Sequence, residues 1–367
     1  MRSDLPLPAW LSQVLVAFIL EFDNEFEHQA PHRTTLYGST PGSIHAPWLV
    51  SMVMWSKFLR FIPDTSISVA ELQRLTAMDR KSADVWLPRL WKWWGYIDIA
   101  WPAAASKRIP PQAVIRLTPG GQKAVAVWRP LTDAIEERWM KGFGQKEVEN
   151  LKNALFEIHR RLDPDLPDHL PILGYGLVTD PKKWTGEAKL SFETLPALLS
   201  KVLLAFAIEF ESRSQISIAI YANILCLMDD RGVNMPDLLR QSGISKEAAA
   251  AALSFLKKND CIVTLTNPDG KQTKLIALSE KGQRLQHNSR ELMHSLEDSW
   301  RTRFGEDTIG SLRKVLESFV GDGTPDGSPL FRRLKPHAGN WRAFAPQPEA
   351  IPRYPMILHR GGFPDGA

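Results

Sequence analysis

The chain carries the same stretch of sequence twice. Residues 7–22 (LPAWLSQVLVAFILEF) return as residues 195–210 (LPALLSKVLLAFAIEF). A second pair, residues 135–144 (IEERWMKGFG) and 296–305 (LEDSWRTRFG), follows in the same order at a slightly smaller spacing. Matches in a fixed order at this wide spacing indicate a duplicated domain rather than a solenoid, whose units are roughly 20–50 residues long. We therefore expect two similar units in one chain, which behave like a dimer whose partner cannot leave.

Length and composition are compatible with two ordinary soluble domains. The chain has 367 residues, of which 44% are hydrophobic and 23% charged, as in globular proteins. A net charge of +4 is mildly basic and fits a nucleic-acid partner without requiring one. The two cysteines, Cys226 and Cys261, are too few for a disulfide scaffold and suit a reducing compartment. Since no run reaches the roughly 18 apolar residues of a membrane helix, we expect a cytoplasmic protein with no membrane partner.

Apolar spacing, capping residues and β-branched runs predict the same order of elements in each half. The first helices, residues 10–22 and 198–210, have apolar residues every four positions and are predicted to be amphipathic. The second helices are predicted at residues 48–61 and 218–228. Short helices opened by Ser68 and Asn234 follow, and the next helices are opened by Asp79 and Ser245. The remaining predicted elements are two β-hairpins (96–99 with 114–117, and 262–265 with 274–278) and two closing helices in each half.

A short capped helix, a tight turn, a second helix and a two-stranded loop form a winged helix-turn-helix. The predicted fold is therefore mainly α with small β-wings: two tandem winged helix-turn-helix domains, paired through their long terminal helices as a pseudo-twofold dimer. The predicted domains are a first repeat at 1–161 with an insertion at 28–47, a Pro/Gly-rich linker at 162–189, a second repeat at 190–320, and a Pro/Gly-rich tail at 321–367 that packs on the body.

Two short motifs occur in both halves and resemble the MarR family of bacterial transcriptional regulators. Residues 117–121 (LTPGG) and 278–282 (LSEKG) are similar to that family's Leu-Thr-x-x-Gly step from the wing to the next helix. Leu90 with residues 94–97, and Leu256 with residues 257–262, resemble its Leu-x-x-x-Gly-x-Ile ending of the recognition helix. The resemblance covers about residues 7–161 and 195–320. It implies a regulator that binds double-stranded DNA and responds to a small aromatic effector, here as a monomeric pseudo-dimer.

In a winged helix-turn-helix the second helix of each unit enters the major groove. Here these are the helices opened by Asp79 and Ser245, which we call the reading helices. If DNA is the partner, the side chains of the reading helices and of the wings are the candidate contacts. Arginine can read guanine through two hydrogen bonds, and serine or lysine can contact phosphate. Because the two halves carry different residues at these positions, we expect a non-palindromic operator. The candidates are Arg80, Lys81, Ser82 and Arg89 in the first reading helix, Ser245 and Lys246 in the second, and Lys107, Arg108, Lys271 and Lys274 in the wings.

The thirteen tryptophans have two interpretations. Bulky aromatic side chains usually fill a core. The alternative is an aromatic-lined pocket for a flat apolar effector between the helix-turn-helix and the terminal helices. Because the aromatic residues are concentrated in the first half, this hypothesis predicts one pocket, lined by Trp10, Phe22, Trp48, Met52, Trp55 and Trp128.

Catalytic, cofactor and metal motifs are not evident in the sequence. It has no Cys-x-x-Cys pair, phosphate-binding glycine loop or nucleophile elbow, and the spacing of His28, His32 and His45 matches no metal motif. We therefore expect a non-enzymatic protein without a cofactor. The competing hypothesis is a tandem winged-helix interaction or ligand-binding module that has lost DNA binding. Pro88 inside the first reading helix and the alanine run at 248–252 in the second favour it.

Overall fold

The computed structural model describes residues 5–30, 51–76, 78, 80–101, 108–163, 166–169, 193–266, 274–340, 343 and 349–354. The protein is mainly helical and has small antiparallel sheets. The first half contains α1 (Leu7–Gln29), α2 (Ser51–Lys57), β1 (Ile67–Ser68), α3 (Val69–Thr76), α4 (Arg80–Pro88), β2 (Ile97–Ala100), β3 (Val114–Leu117), α5 (Pro119–Phe143) and α6 (Gln145–His159). The second half contains α7 (Leu195–Glu211), α8 (Ile218–Leu225), α9 (Met235–Ser242), α10 (Lys246–Lys258), β4 (Ile262–Thr266), β5 (Lys274–Leu278), α11 (Glu280–Phe304) and α12 (Glu306–Val320).

Local capping determines where the short helices begin. The Ser68 hydroxyl accepts a hydrogen bond from the Glu71 N–H, at 3.1 Å. The Asn234 and Ser245 side chains accept from the N–H groups of Asp237 and Ala248, at 2.9 and 3.2 Å. Each bond satisfies a backbone donor that the first helical turn leaves without a partner.

The two second helices are shorter than predicted. After α2 the chain continues as a 3₁₀ turn, Leu59–Phe61, and α8 ends at Leu225 instead of 228. The 3₁₀ turn buries Leu59 and Phe61, so apolar residues that look like a longer helix in the sequence pack through a tighter turn. Residues 48–50 lie outside the described part of the chain.

Each half has an antiparallel hairpin, and a third segment lies beside its second strand. In the first half the strand order is β1-β3-β2, with Ile99 opposite Ile115 and Ile67 on the other side of Ile115. In the second half β4 pairs with β5, and Val233 forms an isolated bridge with Ile276. The hairpins were predicted from their β-branched runs, whereas β1, with two residues, is too short to give a periodic signal.

The helix that precedes the first hairpin contains one extra residue. From Arg89 to Trp93 it has π geometry, and the Trp94 N–H donates to the Arg89 carbonyl. The Tyr96 N–H reaches back to the Leu90 carbonyl, whereas its counterpart Cys261 reaches the carbonyl of Leu256, one residue nearer in the chain. The π turn thus absorbs a one-residue insertion directly after Pro88, which has no N–H to donate to the ladder.

The first helix, α1, is buried on all sides rather than amphipathic. Every residue from 7 to 24 is buried, because α1 packs against α2 and α5 of its own half and against α7 and α12 of the other. Two of its polar side chains find partners in the second half's tail. The Gln13 and Asn24 amides donate to the carbonyls of Ile351 and Leu334, each at 3.1 Å. The expectation of an amphipathic helix is therefore wrong for α1.

The contacts between the halves are reciprocal. Helix α1 packs against α7, α6 packs against α12, α1 packs against α12, and α7 packs against α6. We call these four helices (α1, α6, α7 and α12) the central bundle. Exchanging each helix for its sequence counterpart reproduces the same set of contacts.

Side-chain contacts repeat with similar geometry. The Trp139 indole donates to Glu21 at 2.7 Å, and the Trp300 indole donates to Glu209 at 2.9 Å. The ring of Trp139 lies 5.3 Å from that of Phe18, edge to face. The counterpart rings, Trp300 and Phe206, are 5.1 Å apart in the same arrangement. The repeated sequence therefore produces a repeated core.

Segments that follow each half pack onto the body. A 3₁₀ turn at Pro329–Arg333 buries Leu330 and Phe331, and Ile351 and Tyr354 are buried further along the tail. Within the described ranges, none of the helices combines the length and the apolar character needed to span a bilayer.

Candidate functional site

The first predicted reading helix exposes apolar side chains. Val85 and Trp93 are 45% and 50% exposed, and Arg89 lies between them in sequence. The Arg89 guanidinium lies over the ring of Trp86 at 5.4 Å and over that of Trp93 at 5.3 Å. This surface combines aromatic rings with a cation held against them.

Arg80, also predicted to contact DNA, is engaged within the protein. It pairs with Asp84 at 3.1 Å and donates to the Ile109 carbonyl. Lys81 and Ser82 lie in the first turn of α4. Arg108 is exposed near the hairpin, and Lys107 lies outside the described residues.

The second predicted reading helix, α10, exposes a face of small and basic residues. Ser245 caps this helix, and Lys274 is exposed at the start of β5. Lys271 lies outside the described residues. Small side chains let a helix backbone approach a surface closely, and lysines at either end add positive charge. The exposed residues of the face are Lys246, Ala250, Ala251, Ser254, Lys257 and Lys258.

A cavity of about 310 Å³ lies in the first half, against the beginning of α7 from the second half. Its apolar wall comes from α1 and α2, and α5 closes another side. Thr194, Pro196, Ala197 and Ser200 of the second half complete the lining. The cavity therefore lies between α2 and α5 of the first half and the central-bundle helices α1 and α7, where a bound molecule would contact both halves.

The lining of the cavity carries balanced charges. Arg129 and Asp133 come from α5, and Arg60 forms a buried ion pair with Asp168 of the segment after α6. Burial would raise the pKa of the Asp168 carboxyl, but its contact with His169 and the hydrogen bond and charge of Arg60 hold that pKa well below its usual range.

His169 lies beside this ion pair. One ring nitrogen is 3.3 Å from the Thr76 carbonyl oxygen, and the other is 3.3 Å from Arg60 Nη2. Burial lowers the pKa of His169, and the charges of Arg60 and Lys57 lower it further, against the opposing effect of Asp168. His169 is therefore neutral at physiological pH.

Two of the six residues predicted to line an effector pocket lie at this cavity. Met52 and the half-buried Trp55 line it. Trp10 and Phe22 are buried in α1. Trp128 is also buried, stacks on Phe26 at 4.3 Å, and donates to the Ser51 hydroxyl at 2.8 Å. These three fill the core, and Trp48 lies outside the described residues.

Sequence reasoning missed Arg60, the Asp168–His169 pair and the contribution of α7. Asp168 and His169 occur in a Pro-rich stretch that gives no periodic signal, and they reach Arg60 only through the fold. The approach of α7 follows from the packing of two halves, which no local pattern encodes.

Comparison with protein-family models, with curated proteins and with solved structures finds no match to this chain. Within the described ranges, no group of three or more His, Cys, Asp or Glu side chains could hold a metal ion.

Proposed function

We propose that the chain is a single-chain DNA-binding transcriptional regulator, in which two winged-helix units form an internal pseudo-dimer. The observation that carries this proposal is the reciprocal packing of the central bundle, which would hold two helix-turn-helix elements at a fixed separation. Duplex DNA presents successive major grooves at a fixed repeat, so rigidly spaced reading elements suit it. Fusion in one chain supplies the second element at an effective concentration of about millimolar or more.

The two reading helices would contribute differently. Helix α10 offers lysines and small side chains, which suit close approach to the phosphate backbone. Helix α4 and the π turn that follows it expose Val85 and Trp93, which suit apolar contacts such as those with thymine methyl groups. This asymmetry supports an operator made of two unlike half-sites.

The cavity supports a response to a small ligand. It is bordered by α2 and α5 of the first half and by α7 of the second. A ligand that fits one arrangement of the two halves better than another would favour that arrangement and so change the distance between the reading helices. The aromatic effector implied by the MarR-like motifs would act at this place.

A second candidate function is a protein-interaction module. Val85 on α4 and Trp93 in the π turn after it favour this function, since large exposed apolar side chains often mark protein contacts. The π turn after Pro88 also alters the helix that would enter a groove.

A gel shift with random genomic fragments distinguishes the two functions. We expect binding at low salt that weakens steeply at moderate salt. Replacing Lys246, Lys257 and Lys258 of α10 together by glutamate is expected to lower the affinity at least about 100-fold and to reduce the log–log salt slope by about 3. The matched control replaces the exposed lysines Lys141, Lys146 and Lys314, which lie on α5, α6 and α12, and should change affinity by less than about threefold.

Several results would count against DNA binding. Failure of the wild-type chain to shift any fragment, or equal losses in both triple variants, would favour the interaction module. Two identical inverted half-sites in a footprint would contradict the proposed difference between the reading helices.

A further inference from the structure

The tail residue Tyr354 is inserted into the second half like a bound ligand. It is 3% exposed. The Asn223 side chain bonds to both backbone groups of Tyr354. Its amide oxygen accepts from the Tyr354 N–H at 2.9 Å, and its amide nitrogen donates to the Tyr354 carbonyl at 2.6 Å. Its hydroxyl donates to the Met293 sulfur at 3.2 Å. Burial raises the pKa of this hydroxyl, so it remains protonated as a donor.

The groups around Tyr354 are the sequence counterparts of residues that line the cavity in the first half. Aligning α8 with α2, and α11 with α5, places Cys226 opposite Arg60, Arg290 opposite Arg129, and Met293 opposite Thr132. Arg60, Arg129 and Thr132 all line the cavity. Met293 accepts the hydrogen bond of the Tyr354 hydroxyl, Cys226 contacts the neighbouring Arg353, and the positive charge of Arg290 opposes the rise in the pKa of the hydroxyl.

The cavity of the first half and the Tyr354 position of the second are each also bordered by a helix from the opposite half. In the first half, Ala197 and Ser200 of α7 line the cavity. In the second half, α1 approaches the tail, and the Gln13 amide donates to the carbonyl of Ile351, three residues before Tyr354. The two places are thus bordered by corresponding elements, including the helix from the other half.

The segment after the first half and the tail after the second run to corresponding positions, but they carry different residues there. Asp168 contacts Arg60, and Arg353 contacts the Arg60 counterpart Cys226 at 3.7 Å. The next residue is His169 in the first half and Tyr354 in the second. His169 turns towards the Thr76 carbonyl and the ring of Phe61, whereas Tyr354 extends to Met293 on α11.

We propose that Tyr354 is a built-in occupant of the second half's ligand site, and that the first half's cavity takes a free, neutral molecule with a phenol-sized ring. The ring size follows from the tyrosine that fills the counterpart. Neutrality follows from the lining, in which the charges of Arg60 and Arg129 are matched by those of Asp133 and Asp168. A cavity of about 310 Å³ is ample, since about 150 Å³ of apolar space holds a benzene-sized ring. The inference rests on the proposed ligand response and deepens it, and it is independent of DNA binding.

The test uses p-cresol, the side chain of tyrosine as a free molecule, with the full chain and without DNA. Calorimetric titration is expected to give one p-cresol per wild-type chain and two per Tyr354→Ala chain, because the truncation opens the second site. Tyr354→Ala should also lower the Tm, and saturating p-cresol should restore most of that loss. Tyr354→Phe is the matched control, which keeps the ring and should still bind one molecule.

A variant in the first half tests the other part of the proposal. Ala197→Phe places a ring in the cavity and is expected to abolish p-cresol binding to the otherwise wild-type chain. If Tyr354→Ala yields little folded protein, the proposal predicts that p-cresol in the refolding buffer raises the recovered yield, while an equal concentration of cyclohexanol does so less.

A folded Tyr354→Ala chain that binds no second p-cresol, or no gain in yield on refolding with p-cresol, would overturn the proposal that Tyr354 is a built-in occupant. Wild-type binding that survives Ala197→Phe, or no wild-type binding at all, would overturn the first-half site. Because the readout is stoichiometry, a negative gel shift would leave these outcomes unaffected.

Discussion

Glu136 and Glu297 connect the halves through buried, charge-assisted hydrogen bonds. Glu136 accepts from the N–H of Leu195 at 2.5 Å, and Glu297 accepts from the N–H of Leu7 at 3.0 Å. Each carboxylate thus satisfies the first backbone donor of the other half's leading helix. Each also pairs with a cation from its own half, Lys152 at 2.6 Å and Arg313 at 2.7 Å. A negative charge at a helix N-terminus is stabilised by the helix dipole.

We predict that Glu136→Ala and Glu297→Ala each reduce the free energy of unfolding by about 3 kcal/mol, because each removes the acceptor of a buried helix N–H and breaks the ion pair of a largely buried cation. Equilibrium denaturation measures this loss. The pseudo-symmetry predicts similar losses for the two variants. The control is Glu280→Ala, whose side chain is 91% exposed and whose ion pair should contribute no more than about 0.5 kcal/mol.

At the scale of elements, the joint between each hairpin and the following helix depends on a glycine. A Cβ added at Gly121 would lie 2.0 Å from the Tyr96 carbonyl oxygen, and one added at Gly282 would lie 2.0 Å from the Cys261 carbonyl oxygen. The capping residues Thr118 and Ser279 accept from these glycines, at 3.0 and 3.1 Å. Close backbone approach therefore explains the last glycine of the repeated motif.

Gly121→Ala and Gly282→Ala are expected to destabilise the protein by about 2–3 kcal/mol each, since the strand and helix must move apart to admit a methyl group. Thermal or denaturant unfolding checks the change. Gly310→Ala is the control: it lies inside α12 with no atom within 4 Å of an added Cβ, so it should stabilise by about 0.5–1 kcal/mol. Destabilisation by Gly310→Ala as large as that by Gly121→Ala would contradict the steric explanation.

Elements with strong local signals were predictable from the sequence. The hairpin strands have β-branched runs, and the helix starts at Ser68, Asn234 and Ser245 follow from side chains that bond to the backbone three residues ahead. The strand β1 and the π turn were not predictable, since the first depends on pairing with the distant β3 and the second on the helix readjusting around Pro88.

The candidate sites were harder to predict because they depend on side-chain direction and on packing between halves. The sequence identified Met52 and Trp55 but grouped them with Trp10. Trp10 lies in α1, which is buried on all sides, so the spacing of its apolar residues does not reveal which side chains face a cavity. Arg80 and Arg89 look like free cations in the sequence. In the fold Arg80 bonds to Asp84, and Arg89 lies against two tryptophans.

At the scale of the whole molecule, each half supplies groups that the other needs. Apart from the two glutamates, the Gln13 and Asn24 amides of α1 bond to tail carbonyls of the second half. Helix α1 itself is covered on one side by α7 and α12. A separated first half would therefore expose a large apolar surface together with polar groups that lack their partners.

This interdependence predicts the behaviour of a divided chain. Cutting the coding sequence within residues 170–192 and producing both parts together should give a stable one-to-one complex, because the central bundle can form without the covalent link. Affinity purification through a tag on one part, followed by light scattering, measures this. Either part produced alone should aggregate or form a homodimer through its exposed bundle helices. Glu297→Ala in the second part should weaken the complex, whereas Glu280→Ala should not. If each part were a folded, monodisperse monomer, the bundle would be an incidental contact, and a fixed spacing between the reading helices could not be maintained.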